Sequence, residues 1–156
     1  MKKWINGLFC TLLVMTTGAA QALTPAELEQ ALYKLADSAE GKNGFMEFRV
    51  GEIQYFMLMD PAANRMRIIT PVAEYKDLES DQITAIMESN FHDALDARYA
   101  LSNGVVYAAF IHPLSELSLA ELVSAVYQVG SLSITFGREY SSGIAHFGGQ
   151  GQPESE

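Results

Sequence analysis

Three side chains capable of acid–base or metal-binding chemistry recur at four-residue intervals in the middle of the chain. Glu88, His92 and Asp96 would share one face of a helix, with an imidazole between two carboxylates. Such a trio could hold zinc or tune a general base. A solvent-exposed helix face with ordinary ion pairing has the same composition, and we favour that interpretation. Spacing places neither His112 nor His146 near the trio.

Four methionines form a second candidate site. Met57 and Met59 belong to one predicted strand, and Met46 and Met66 belong to its expected neighbours. Thioethers are copper(I) ligands, but methionine is also an adaptable filler of cores and of peptide-binding grooves. We rank the core first, the groove second and copper third.

The motifs of covalent catalysis and phosphate binding are missing from the sequence. No Gly-x-Ser-x-Gly motif occurs, and Ser141-Ser142-Gly143 has no identifiable base beside it. The glycines near residue 150 follow no predicted strand, as a phosphate-binding loop would require. The single cysteine, Cys10, lies in a predicted leader. We therefore expect no enzyme activity and no cofactor.

The first 22 residues are typical of an export signal. A cationic start, Met1-Lys2-Lys3-Trp4, precedes an uncharged apolar run and the small-x-small site Ala20-Gln21-Ala22. A membrane anchor is the alternative, but a spanning helix needs about 20 apolar residues and this run is shorter. We predict a signal peptide at 1–22, a mature chain that starts at Leu23, a periplasmic or secreted location, and no stable membrane span after cleavage.

Charge narrows the range of partners. The chain has 10 lysines and arginines against 19 acidic residues, and the signal removes two of the basic ones. The mature balance of 8 basic against 19 acidic residues gives about −11. Such a chain repels phosphate backbones, so we expect no nucleic acid and no anionic membrane surface as a partner.

The first half of the mature chain predicts one helix and three strands. Thr24 and Glu27 form a capping box, and the apolar spacing continues to Ala39, with Gly41 as a left-handed exit. Alternating residues predict strands at 45–50, 53–59 and 65–72. The strand at 53–59 is apolar on both faces and should be covered on both. Pro71 predicts that the third strand ends along an edge.

The second half predicts a helix, a hairpin and a helix. Helix two covers about residues 81–96, with several possible N-caps. Asn103-Gly104 is a strong hairpin signal between strands at 98–101 and 105–111. Ser118 and Glu121 cap a last helix, 118–136, that is apolar nearly all round. The alternative is that Gly130 breaks this helix and a strand follows; we favour one continuous helix.

These elements give an α+β fold with an antiparallel sheet of about five strands in the order α-β-β-β-α-β-β-α. One domain would span 23–137, and a flexible tail rich in glycine, serine and glutamine would span 138–156.

The order of elements resembles the class I type III secretion chaperone fold, and more closely its YbjN-like branch. The resemblance rests on the hairpin at 45–59, on Ile86-Met87-Glu88-Ser89-Asn90, and on Ala97-Arg98-Tyr99-Ala100-Leu101 leading through Asn103-Gly104 into the last strand. It implies a helix-covered sheet, often dimeric, that holds extended peptide segments without catalysis. It also implies that Asn90 pins helix two. Secretion chaperones of this fold act in the cytoplasm, so their role does not transfer to an exported chain.

We therefore predict a chaperone-like binding module that holds a protein or peptide partner, and we expect a homodimer. The alternative is a metal-binding protein or enzyme that uses the Glu/His/Asp face of helix two. A third possibility is an inert domain that contacts a membrane component. The predicted partner or dimer surface consists of Tyr55, Met57, Met59, Phe91, Val123, Tyr127 and Leu132.

Overall fold

A computed structural model describes residues 22–143, which form three α-helices, two short 3-10 helices and six strands. The elements are α1 (Pro25–Leu35), β1 (Ser38–Lys42), β2 (Phe45–Val50), β3 (Ile53–Asp60), β4 (Arg65–Glu74), α2 (Ser80–His92), β5 (Arg98–Ser102), β6 (Val105–His112) and α3 (Leu119–Thr135). The predicted α+β class is confirmed, with one strand more than expected. No helix within 22–143 is long and apolar enough to cross a membrane.

The six strands form one antiparallel sheet in the order β1-β2-β3-β4-β6-β5. One face packs against α1 and α3 and is buried, whereas the side chains of the opposite face are mostly exposed or half-buried. The sheet contributes Met46, Phe48, Tyr55, Met57, Met66, Ile68, Val106, Ala108 and Phe110 to the core, and the helices contribute Leu28, Leu32, Leu122, Ala125, Val126, Val129 and Leu132.

The extra strand, β1, replaces the predicted end of the first helix. The Thr24–Glu27 capping box is present, but α1 ends at Leu35, and Ala39 lies in β1. The cause is a second Asn-Gly turn: Asn43 and Gly44 have φ of 56° and 89° and join β1 to β2 as a hairpin. Ala39 therefore lies in a strand, although its spacing from the preceding apolar residues is helical.

Helix α2 is shorter than predicted and ends at His92, with Asp93 as its C-cap. The side chain of Asn90 stabilises this end by holding the edge strand β5. Its amide nitrogen donates to the Tyr99 carbonyl at 3.0 Å, and its amide oxygen accepts from the Tyr99 backbone N–H at 2.8 Å. Asn90 thus satisfies backbone groups that an edge strand leaves unpaired.

One prediction about the sheet is confirmed and another needs correction. Strand β4 lies between β3 and β6, but its pairing with β3 ends at Ile69, so Pro71 pairs only with β6, where the register shifts, and the last part of β4 is an edge on the β3 side as predicted. Strand β3 is not covered on both faces within the described chain: Tyr55 and Met57 are buried, whereas Phe56 is half-buried and Leu58 is exposed.

Helix α3 is continuous, as predicted, and its Ser118–Glu121 capping box is present. Gly130 lies in the helix without breaking it. A polar residue on its buried side, Gln128, accepts from the backbone N–H groups of Asp96 and Ala97 at 2.9 and 3.0 Å. The helix therefore fixes the segment that follows α2.

The predicted tail begins too early. Residues 138–143 fold back onto the domain, where Ser142 is fully buried and its hydroxyl accepts from the Leu95 backbone N–H. Ser131 donates to the Ser141 carbonyl at 2.9 Å. The rest of the predicted tail, 144–156, and residues 1–21 of the predicted signal lie outside the described residues.

Candidate functional site

An apolar groove of about 430 Å³ lies between α3 and the β2–β3 hairpin. Its walls come from the end of α1, from the hairpin and from one side of α3. The lining residues are Leu35, Val50, Gly51, Ile53, Tyr55, Val123, Val126, Tyr127, Gly130, Ser131, Ile134 and Thr135. No acidic or basic side chain belongs to this set.

The groove exists because α3 carries more apolar residues than one core can cover. Val126 and Val129 face the sheet and are buried, whereas Tyr127 and Ile134 remain 64% and 60% exposed. Val123, one turn before Tyr127, is also exposed. These three side chains project from the helix beside the hairpin and leave an apolar wall facing solvent.

Tyr55 and Gly130 form the floor of the groove. The Tyr55 ring stacks on Phe48, with 5.0 Å between the ring centroids, and burial raises the pKa of the Tyr55 phenol. Because the phenol stays neutral at physiological pH, it adds no charge to the site. Any side chain at Gly130 would collide with the Tyr55 hydroxyl. The glycine therefore permits close contact between helix and strand.

A second groove of about 400 Å³ continues the first one along the helices α1 and α3. The two share Leu35 and Val123, and the second reaches Leu119 at the start of α3. The combined trough follows α3 from Leu119 to Ile134, about 22 Å at 1.5 Å per residue. An extended segment of about seven residues would span this length.

The structure brings only part of the predicted partner surface together. Tyr55, Val123 and Tyr127 meet in the groove. Met57 and Leu132 are fully buried in the core, so they cannot belong to an exposed surface, and this part of the prediction is corrected.

The remaining two members of the predicted surface do not line the groove. Met59 is half-buried and packs against the core from β3. Phe91 is 76% exposed on α2, where its ring meets that of His92 edge-on at 4.8 Å. The sequence analysis did not predict Leu35, Val50 or Ile134 as lining residues. Ile134 could have been predicted, because it belongs to the unusually apolar helix α3.

The proposed metal-binding trio does not share a helix face. Because α2 ends at His92, Asp96 falls outside the helix, where its backbone N–H bonds to Gln128. Within residues 22–143, no three histidine, cysteine, aspartate or glutamate side chains are placed to hold a metal ion.

The four methionines of the second candidate site lie on the buried face of the sheet. Met46 and Met57 are cross-strand partners, as are Met59 and Met66, and all but Met59 are fully buried. They belong to the hydrophobic core with the side chains of α1 and α3.

A polar cluster near the start of α3 has a structural explanation. Glu121 accepts from the Ser118 backbone N–H at 2.6 Å, and this bond lowers the pKa of the Glu121 carboxyl. His112 Nε2 lies 3.8 Å from Glu121, while Nδ1 is 2.8 Å from the Pro113 carbonyl. These contacts cap α3 and anchor the end of β6, so the carboxylate is already engaged.

Comparison with known proteins shows the fold alone. No protein-family model and no curated protein matches the chain. Two solved structures are similar. One is the HopA1–SchA chaperone–effector complex, with 14% sequence identity and a TM-score of 0.55; the match covers 70% of this chain and 88% of the matched chain. The other is the Yersinia pestis type III secretion chaperone SycH in complex with a stable fragment of YscM2, with 12% identity and a TM-score of 0.53; the match covers 70% of this chain and 99% of the matched chain. The chain has a type III secretion chaperone-like fold.

Proposed function

We propose that this protein is a non-catalytic, chaperone-like binding module that holds an apolar segment of a protein partner along α3. The observation that carries the proposal is the trough walled by the exposed side chains Val123, Tyr127 and Ile134. The similar solved structures are of chaperones in complex with protein partners, which supports protein binding as the role of the fold.

The lining of the groove is suited to burying apolar side chains of a partner and not to catalysis. Its two aliphatic hydroxyl groups are engaged: Ser131 donates to the Ser141 carbonyl and Thr135 donates to the Ser131 carbonyl at 2.8 Å. With neither a charged group nor an activated nucleophile among the lining residues, the groove offers apolar contact area. A partner would present aliphatic or aromatic side chains, and the affinity would come mainly from their removal from water.

We also propose that the protein acts outside the cytoplasm as a member of the YbjN-like branch. The export signal predicted at 1–22 supports the location, and the bonds between Asn90 and Tyr99 support the role that the resemblance implied for Asn90. Export predicts that the protein purified from the cell envelope has the mass of a chain beginning at Leu23. An intact mass that includes residues 1–22 in the envelope fraction would contradict cleavage.

The binding function is testable by photo-crosslinking in intact cells. A benzophenone amino acid at position 127 should yield discrete adducts of higher mass after irradiation, whereas the same amino acid at position 75 should not. Tyr75 is a matched control because it is an exposed tyrosine outside the groove. Mass spectrometry would then identify each adduct. Equal adducts from both positions, or none from position 127, would contradict the proposal.

A further inference from the structure

Two charged side chains, Glu27 and Lys34, lie in the trough beside α3. Both line the second groove. The first groove is lined without any acidic or basic side chain. In the described part of the chain, Glu27 and Lys34 are thus the only charged residues among those that line the two grooves. Any preference of the trough for charged residues in a bound segment therefore depends on these two.

The two charges occupy different places along the trough. Lys34 precedes Leu35, which lines both grooves, so Lys34 lies at their junction. Glu27 lies seven residues nearer the start of α1, which corresponds to about 10.5 Å at 1.5 Å per residue. The start of α1 lies beside the start of α3, because the Leu23 backbone N–H donates to the Leu117 carbonyl at 2.8 Å. The trough is therefore acidic at this end, basic at the junction and apolar beyond it.

The ammonium group of Lys34 has no counter-charge within residues 22–143. No carboxylate lies within 4.0 Å of it, although acidic residues outnumber basic ones by 19 to 10 in the chain. The side chain is exposed, and lysine stems lie along apolar surface with the ammonium group in water. Lys34 thus places a positive charge beside an apolar groove in an acidic molecule. A carboxylate of a bound segment would have a complementary charge here.

Glu27 provides the opposite charge at the start of α1. Its Oε2 accepts from the backbone N–H and from the hydroxyl of Thr24, both at 2.8 Å, and these bonds lower the pKa of the Glu27 carboxyl. The carboxylate is therefore ionised at neutral pH and held in place by the capping box. No described residue donates to its Oε1, so this oxygen can accept from a cationic group of a ligand.

We propose that the trough selects protein segments that carry an acidic residue beside their apolar anchor and a basic residue about three positions farther out. The acidic side chain meets Lys34 at the junction, and the basic one meets Glu27, because about 10.5 Å corresponds to about three residues of an extended chain. The apolar residues continue along the first groove past Tyr127. A segment with the two charges exchanged is rejected by repulsion at both positions. The inference rests on the proposed function and adds a charge pattern to the apolar segment.

Peptide selection tests this pattern. A random 12-residue library is selected separately on the wild-type chain, on Lys34→Glu and on Lys76→Glu. Lys76 is the matched control because it is an exposed lysine outside both grooves. The wild-type and Lys76→Glu pools should be enriched in an acidic residue beside the apolar run, and the Lys34→Glu pool in lysine or arginine at that position. The same charge pattern in all three pools would overturn the proposal.

A charge swap tests the contact at Lys34 in solution. For one labelled peptide from the wild-type pool, Lys34→Glu should lower the affinity at least about 10-fold in fluorescence anisotropy. Replacing the acidic residue of the peptide with lysine should restore most of the loss. Binding to the wild type should weaken with added salt more than binding to Lys34→Gln, which also serves if Lys34→Glu fails to fold. A loss that the swapped peptide does not recover, or equal salt dependence, would overturn the contact.

The charge at the other end can be removed without removing the cap. Glutamine also completes a capping box, so Glu27→Gln should fold as the wild type does. Peptides selected on this variant should lose the preference for the basic residue and keep the acidic one. An undiminished preference for the basic residue would overturn the assignment of Glu27.

Tyr127→Glu separates this inference from the proposed function. If Tyr127→Glu leaves binding of the selected peptides unchanged, they do not occupy the groove, and the proposed function fails. If Tyr127→Glu abolishes binding while Lys34→Glu and Glu27→Gln leave the charge pattern unchanged, the groove is the binding site and the charge pattern is wrong.

Discussion

Replacing Leu132 with alanine should lower the free energy of unfolding by about 3–5 kcal/mol, because it truncates a large side chain in the hydrophobic core. The Leu132 side chain is fully buried in the core under α3. Its removal would forfeit apolar burial and leave a cavity that the surrounding sheet and helix fill only in part. Domains of this size are stable by about 5–15 kcal/mol, so much of the total would be lost.

Ile134 is the matched control, because it is an aliphatic residue of the same helix but is 60% exposed in the groove. Ile134→Ala should cost less than about 1 kcal/mol. Chemical denaturation of the two variants and the wild type gives the comparison. Equal losses would contradict the division of α3 into a core side and a groove side, as would a Leu132→Ala variant as stable as the wild type.

Replacing Tyr127 with glutamate should abolish partner binding while leaving the fold intact. The ring is 64% exposed and lines the groove, so its removal costs little packing in the monomer. In a complex, a carboxylate at this position would have to enter an apolar contact without a counter-charge. For a peptide selected on the wild-type chain from a random 12-residue library, affinity should fall at least about 30-fold, which corresponds to a hot spot of 2 kcal/mol.

Fluorescence anisotropy of the labelled peptide measures this change, and Tyr75→Glu is the control. Tyr75 is exposed, is outside the groove and should tolerate the same substitution without loss of affinity. Thermal unfolding of both variants should stay close to that of the wild type. If Tyr127→Glu instead fails to fold, the residue belongs to the core; if the variant binds normally, the peptide occupies another surface.

Local signals in the sequence predicted most of the elements. The capping boxes that begin at Thr24 and Ser118 mark the starts of α1 and α3, and Asn103-Gly104 marks the last hairpin. Each depends on backbone chemistry within a few residues, which is why it can be recognised without the fold. The same rule applied to Asn43-Gly44 would have predicted β1.

What the sequence could not predict depends on which elements become neighbours. Leu132 and Tyr127 both belong to an apolar helix, and only the position of the sheet decides which one is buried. Pro71 indicated the edge on the β3 side of β4, but nothing near it in the sequence indicated that β6 pairs with the other side across a shift in register. Asp96 shared helical spacing with His92, but Gln128, 32 residues later, holds its backbone outside the helix.

The proposal that a partner binds in the groove along α3 is tested most directly by locating the bound peptide on the protein. Methyl-group NMR spectra of chain labelled at isoleucine, leucine and valine should be recorded with and without the selected peptide. We predict shifts at Ile53, Val123, Val126 and Ile134, which line the groove, and none at Leu58 or Ile111 on the opposite face of the sheet. Shifts confined to Leu58 and Ile111, with the groove methyl groups unchanged, would contradict binding along α3.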